Sequence, residues 1–231
     1  MQTEALRISG IPAIIWGRPS DKAYLYVHGK LSSKECAGSF AAIAEKKGYQ
    51  TLSFDLPEHG ERAGDHARRC DIWNGVRDLA AVADHAFARW RELSLYACSL
   101  GAYFSLHAFA ERPFVRCLFQ SLIVDMEYLI ERMFAWFGVT EEALRARGEI
   151  ATPVDPLRWD YYQYVRTHPI RKWDAPTHIL YGGRDSIQSR AVIAGFAERY
   201  GCRLTVSEDS EHPFMAPGDA RIVEQWLRAC I

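Results

Sequence analysis

Short β-prone apolar runs alternate with amphipathic helical stretches along this 231-residue chain, and that alternation constrains the fold more than any other feature. IPAIIWG (11–17), AYLYVHG (23–29), YQTLSFDLP (49–57), LSLYACS (93–99), FVRCLFQSLIVD (114–125), THILYGG (177–183) and CRLTVSE (202–208) read as strands. SKECAGSFAAIAEKKG (33–48) reads as a helix stopped by Gly48. Residues 71–90 set Ile72, Val76, Leu79, Ala83, Phe87 and Trp90 at spacings of three and four, one face of a second helix. Further helices are expected from about Leu100 to Glu111, over 187–200 and over about 217–229. Strands buried on both faces appear as near-continuous apolar runs, and here helices lie between them. The expected class is α/β, a doubly wound, mostly parallel sheet with helices on both faces.

Ligands of such sheets bind beyond the carboxyl ends of the strands. The residues just after each strand therefore carry the functional information. They are His28, Gly29 and Lys30; Asp55, Pro57, His59 and Gly60; Ser99; Asp125; Asp185; and His212. A structural corner needs one or two polar residues of this kind. It does not need one at nearly every strand end.

The set resembles the α/β-hydrolase family from about residue 11 to residue 229. ACSLG (97–101) resembles the G-x-S-x-G nucleophile elbow, with Ala97 in place of the first glycine. YVHGK resembles the His-Gly turn after the family's third strand, and FDLPEHG resembles its D-x-P-x-H-G segment. YGGRD and SEHPF put Asp185 and His212 where the family carries its acid and its base, and the order Ser99, Asp185, His212 is the family order. The resemblance implies Ser99 as nucleophile, His212 as general base and Asp185 as the acid that orients it. Asp125 is the alternative acid. The backbone N–H groups of Lys30 and Leu100 form the implied oxyanion hole.

Residues 126–175 break the strand–helix alternation, and an insertion here, after the family's sixth strand, resembles the family's helical cap. The expected domains are a core of 1–125 with 176–231 and a cap of 126–175. Met133, Phe134 and Phe137 fall at helical spacing, and WDYYQYV (159–165) is rich in aromatics. These three, with Trp159, Tyr162 and His28, are the candidate pocket residues. Plain packing of the cap is the competing reading for the apolar stripe. His59, His107 and His168 read as structural or surface residues, and Cys98 as a buried thiol.

The formal net charge is −1, so no strong field attracts nucleic acid or an anionic membrane. The six cysteines show no zinc-type or C-x-x-C spacing and read as reduced thiols. MQTEALRISG carries no signal-peptide pattern, and no apolar run is long enough to span a bilayer. A cytoplasmic protein is expected, with no metal and no organic cofactor. The expected activity is cleavage of a small or medium carboxylic ester, thioester or amide through an acyl-enzyme on Ser99. The rival expectations are a non-hydrolytic ligand-binding or interaction protein on the same fold, or an acyltransferase or lyase using the same serine.

Overall fold

The computed structural model describes residues 1–65 and 67–231. In chain order the elements are β1 (Thr3–Ile8), β2 (Ile11–Trp16), β3 (Lys22–Val27), α1 (Gly38–Lys46), β4 (Gln50–Phe54), α2 (Ile72–Arg89), β5 (Glu92–Cys98), α3 (Ser99–Ala108) and β6 (Cys117–Gln120). After β6 come α4 (Met126–Phe137), α5 (Glu141–Arg147), β7 (Glu149–Ile150), β8 (Leu157–Arg158), α6 (Trp159–Thr167), β9 (Thr177–Gly182), α7 (Arg190–Arg199), β10 (Arg203–Ser207) and α8 (Asp219–Cys230).

Eight strands form one sheet in the order β1-β2-β4-β3-β5-β6-β9-β10. β2 pairs antiparallel with both β1 and β4, and the remaining pairs are parallel. The apolar runs hide a two-residue alternation that divides the core into two layers. On β3 and β5, Tyr24, Tyr26 and Tyr96 join Phe40, Ala44 and Trp226, from α1 and α8. Leu25, Val27, Leu95 and Ala97 point the other way, toward Leu79 and Ala83 of α2 and Phe104 of α3. The Tyr26 and Tyr96 rings stack with centroids 4.7 Å apart. Helices thus cover both faces, as the doubly wound reading requires.

Side-chain caps start several helices. Asp71 accepts from the Asn74 N–H at 3.0 Å at the start of α2, and Thr140 from the Ala143 N–H at 3.1 Å at the start of α5. Gly138 ends α4 in the left-handed conformation, with φ of 64°. No helix among the described residues is long and apolar enough to cross a membrane.

Three expectations need correction. The strand expected over 114–125 spans only Cys117–Gln120. Ser121 turns out of it with φ of 51°, yet Leu122 and Ile123 stay buried, so apolarity persists after the strand has ended. The helix expected over 33–48 opens as a 3₁₀ turn over Lys34–Ala37 before α1 begins. β1 is an additional edge strand, mostly exposed, whose polar–apolar mixture hid it. The segment between β6 and β9 holds α4, α5 and α6 together with the two-stranded ribbon β7–β8.

Candidate active site

β5 passes directly into α3 with no loop between Cys98 and Ser99. Ser99 makes the turn with φ of 50°. A left-handed conformation costs a residue with a Cβ about 1–2 kcal/mol, so the surrounding packing must hold it. Gly101 makes that packing feasible. A Cβ there would run into the carbonyl oxygen of His28 and the side chain of Val27. The first turn of α3 therefore lies directly against the end of β3.

The hydroxyl of Ser99 lies 2.7 Å from His212 Nε2. His212 follows β10, the far edge of the sheet, and its Nδ1 lies 2.7 Å from Asp185 Oδ2. The Asp185 side chain is fully buried. Its other oxygen, Oδ1, accepts the N–H groups of Ile187 at 2.7 Å and Gln188 at 3.1 Å. A carboxylate only accepts, so the imidazole proton sits on Nδ1. The Nε2 lone pair then faces the serine, and the Ser99 hydroxyl donates to it.

The turn after β3 approaches the same point. Among the described residues, neither the Lys30 nor the Leu100 N–H donates to a protein acceptor. Two histidines fix the turn. His28 Nδ1–H donates to the Gly29 carbonyl at 2.7 Å, and its Nε2 accepts the Leu56 N–H at 3.1 Å. His59 Nδ1–H donates to the Pro57 carbonyl at 2.7 Å, and its Nε2 accepts the Leu31 N–H at 3.1 Å. Each imidazole is thereby fixed in the neutral Nδ1–H form. Burial, and to a lesser degree the neighbouring His59, lowers the His28 pKa to about 4. Burial also lowers that of His59.

Beneath them lies Asp55, whose buried carboxylate accepts Lys34 N at 2.9 Å, Lys34 Nζ at 2.8 Å and Glu61 N at 3.0 Å. Gly60, with φ of 53°, presses its backbone against that carboxylate where a Cβ would collide. Burial alone would lower the Lys34 pKa. Its hydrogen bonds to Asp55, Glu35 and Glu61 instead hold the ammonium well above the usual lysine range. The segment between Asp55 and Gly60 is a brace for the turn.

No protein-family model and no curated protein matches this chain. Solved structures do. Est1E from Butyrivibrio proteoclasticus, in a structure with ferulic acid bound, superposes with a TM-score of 0.77 at 17% identity over 98% of this chain and 96% of that one. Alpha/beta hydrolase domain-containing protein 10 from mouse superposes with a TM-score of 0.78 at 17% identity over 99% and 98%. The monoacylglycerol lipase of Paleococcus ferrophilus gives 0.67 at 15% identity over 96% and 99%.

The chain has the α/β-hydrolase fold. In this fold the remaining candidates separate clearly. Asp125 does not reach His212. Its carboxylate caps α4 through the Tyr128 N–H at 2.9 Å, which corrects its reading as an alternative acid. His28, expected at the pocket wall, is fully buried with both ring nitrogens engaged, so it shapes the turn instead. Met133 and Tyr162 are 6% and 2% exposed and belong to the packed interior rather than a pocket surface. The Phe134 ring meets Tyr162 edge-on at 5.1 Å, with Trp159 6.1 Å away on the same tyrosine, and Phe137 packs against the same core. Packing of α4 on α6 accounts for these aromatics.

A cavity of about 320 Å³ opens between α3, α4, α6 and α7, with Tyr103, Asp125, Val165, His168 and Phe196 among its walls. Ser99, His212 and Lys30 are not part of it. The Lys30 ammonium points instead to Asp155, 2.9 Å away in the loop between β7 and β8. Burial pushes the Cys98 thiol up to about 12. Among the described residues no group of three His, Cys, Asp or Glu side chains is arranged around a metal position.

Gln188 went unnoticed in the sequence. It is fully buried, and its side-chain oxygen accepts the N–H groups of Val124 at 3.1 Å and Asp125 at 2.9 Å. Its amide nitrogen donates to the Asp125 carbonyl at 2.9 Å, while its own N–H donates to Asp185. This one side chain ties the Asp185 loop to the residues that lead into α4. The only available signal was its place three residues after Asp185.

Proposed function

We propose that the protein is a serine hydrolase that cleaves a small or medium carboxylic ester through an acyl-enzyme on Ser99. The observation that carries this reading is the unbroken relay of two 2.7 Å contacts from Ser99 through His212 to a buried, doubly hydrogen-bonded Asp185. A serine hydroxyl is a weak nucleophile until a base takes its proton as it attacks. His212 Nε2 is in place to take it, and Asp185 stabilises the resulting imidazolium. The carbonyl oxygen of the substrate becomes an oxyanion, which accepts from the Lys30 and Leu100 N–H groups. One such donor contributes roughly 3–4 kcal/mol to lowering the barrier. His212 then gives its proton to the departing alcohol. A water molecule, deprotonated by the same imidazole, releases the acid and restores Ser99.

The names of two structural neighbours, an esterase of Pyrococcus furiosus and a monoacylglycerol lipase, support ester chemistry over peptide cleavage. Residues 126–175 act as the cap in this reading, with Asp155 reaching over the oxyanion turn to Lys30. All six cysteines are free thiols, which supports a reducing, cytoplasmic setting.

Turnover of p-nitrophenyl acetate tests the reading. Purified wild-type protein is expected to hydrolyse it, and Ser99→Ala to fall by about 10⁴-fold or more in kcat/KM. An inert wild type, or an alanine variant as active as wild type, contradicts the assignment.

A further inference from the structure

We propose that His59 is a positioning residue of the oxyanion hole, holding the Lys30 N–H in its donating direction from the loop after β4. This inference rests on the hydrolase reading above and goes beyond it by naming what aims the donor.

Gly29 C=O and Lys30 N–H are the two ends of one planar trans peptide unit, so they point to opposite sides. His28 Nδ1–H binds the Gly29 oxygen at 2.7 Å and so fixes one side of that plane. The next residue must hold the other. Leu31 has φ of 59°, a left-handed conformation that a leucine avoids. The residue is 93% exposed, so burial contributes almost nothing toward holding it there. The hydrogen bond from the Leu31 N–H to His59 Nε2, at 3.1 Å, is what retains the turn.

The two histidines work reciprocally. His28, at the end of β3, accepts from Leu56 in the loop after β4, and His59, in that loop, accepts from Leu31 beside the end of β3. Their rings lie 5.2 Å apart. The charged groups facing His59 are Lys30, Glu58 and Asp155. His59 Nδ1–H is anchored on the Pro57 carbonyl at 2.7 Å, a neighbour whose φ is locked. The imidazole therefore cannot swing away while still satisfying its donor. Only neutral imidazole offers the acceptor that Leu31 requires.

Two substitutions separate positioning from plain stability. His59→Asn keeps a donor for Pro57 but cannot reach the Leu31 N–H. His59→Gln places a carbonyl oxygen near the Nε2 position. With p-nitrophenyl acetate, His59→Asn is expected to lose about 10- to 100-fold in kcat, with KM within twofold of wild type. Affinity for a phenylboronic acid that forms a tetrahedral adduct on Ser99 is expected to weaken in proportion to kcat. The Leu31 amide is expected to exchange its hydrogen faster. His59→Gln is expected to recover most of the kcat and the boronate affinity.

Wild-type kcat and boronate affinity in His59→Asn overturn the proposal. So do equal losses in the Asn and Gln variants accompanied by a matching fall in melting temperature, since that is a purely structural role. Ser99→Ala run alongside distinguishes the two levels. If it retains turnover, the hydrolase reading itself fails. If it is inactive while His59→Asn is not, the hydrolase reading stands and the positioning role fails.

Discussion

The carboxyl edge of the sheet and the segment between β6 and β9 are held in place by different physics. At the sheet edge, buried polar groups satisfy one another. Asp185, Gln188, His28 and Asp55 are fully or almost fully enclosed, and their hydrogen bonds run to backbone groups of neighbouring loops. Between β6 and β9 most of the ion pairs are exposed. Lys30–Asp155 has side chains 28% and 46% exposed, Arg69–Glu149 54% and 47%, and Arg166–Glu141 41% and 45%. Aromatic contacts of Trp73 with Tyr161 and Tyr164 add apolar support. Breaking a buried network leaves an unpaired group out of water, whereas exposed pairs are worth at most about 1 kcal/mol each. The candidate site thus stands on a frame that tolerates little change, while the segment between β6 and β9 can vary at small cost.

The sharpest way to break this comparison is Gln188→Leu. It removes the acceptor of two part-buried N–H groups and the tie between the segment before α4 and the Asp185 loop. A loss of about 2–4 kcal/mol in unfolding free energy by urea denaturation is expected. Ester turnover should fall with it as Asp185 loosens. A stability change below about 0.5 kcal/mol would mean that the buried bonds at the sheet edge are not what holds it.

Acid is the next probe. His28 titrates near 4 when folded against about 6.5 when unfolded, so between those values the unfolded chain binds the extra proton. The neutral-form stability is fully present above about pH 6.5 and declines as pH falls toward 4. From pH 7 to pH 5 this one group is expected to cost about 2 kcal/mol, with His59 adding in the same direction. Urea midpoints at the two pH values measure it. A midpoint that rises on acidification would contradict the burial of neutral histidines beneath the turn.

How much of this was legible in the sequence follows the same division. Strand ends are marked by where apolar runs stop, so Ser99, Asp185 and His212 could be picked out and ordered without coordinates. The glycines at 60 and 101 stood in recognisable motifs as well. Gln188 could not be found, because an amide that bridges two loops has no periodicity and no charge partner in sequence. β6 was overextended because Leu122 and Ile123 are as buried after the strand as Leu118 and Phe119 are within it. Apolarity reports burial rather than hydrogen-bond pattern. The ribbon β7–β8 has two residues per strand, too few for any alternation to show. Between β6 and β9, aromatic spacing looked equally like pocket or packing, and coordinates were needed to show Tyr162 enclosed between Phe134 and Trp159.

The smallest effect is expected from Asp155→Asn. Removing a half-exposed partner of Lys30 should change stability by less than about 1 kcal/mol. Its effect should appear in KM for p-nitrophenyl acetate and diminish at high salt, while kcat stays within about threefold. A kcat loss as large as that of a sheet-edge variant would show that the segment between β6 and β9 is part of the rigid frame after all.

The central claim is that Ser99 is made nucleophilic by His212. Covalent labelling with a fluorophosphonate, read by mass spectrometry of the peptide that contains residue 99, tests it without knowledge of the natural substrate. A single adduct on Ser99 in wild type, lost in Ser99→Ala and slowed by about 10³-fold or more in His212→Gln, is the expected result. An unlabelled Ser99 in folded wild-type protein, or labelling at the same rate in His212→Gln, would contradict it.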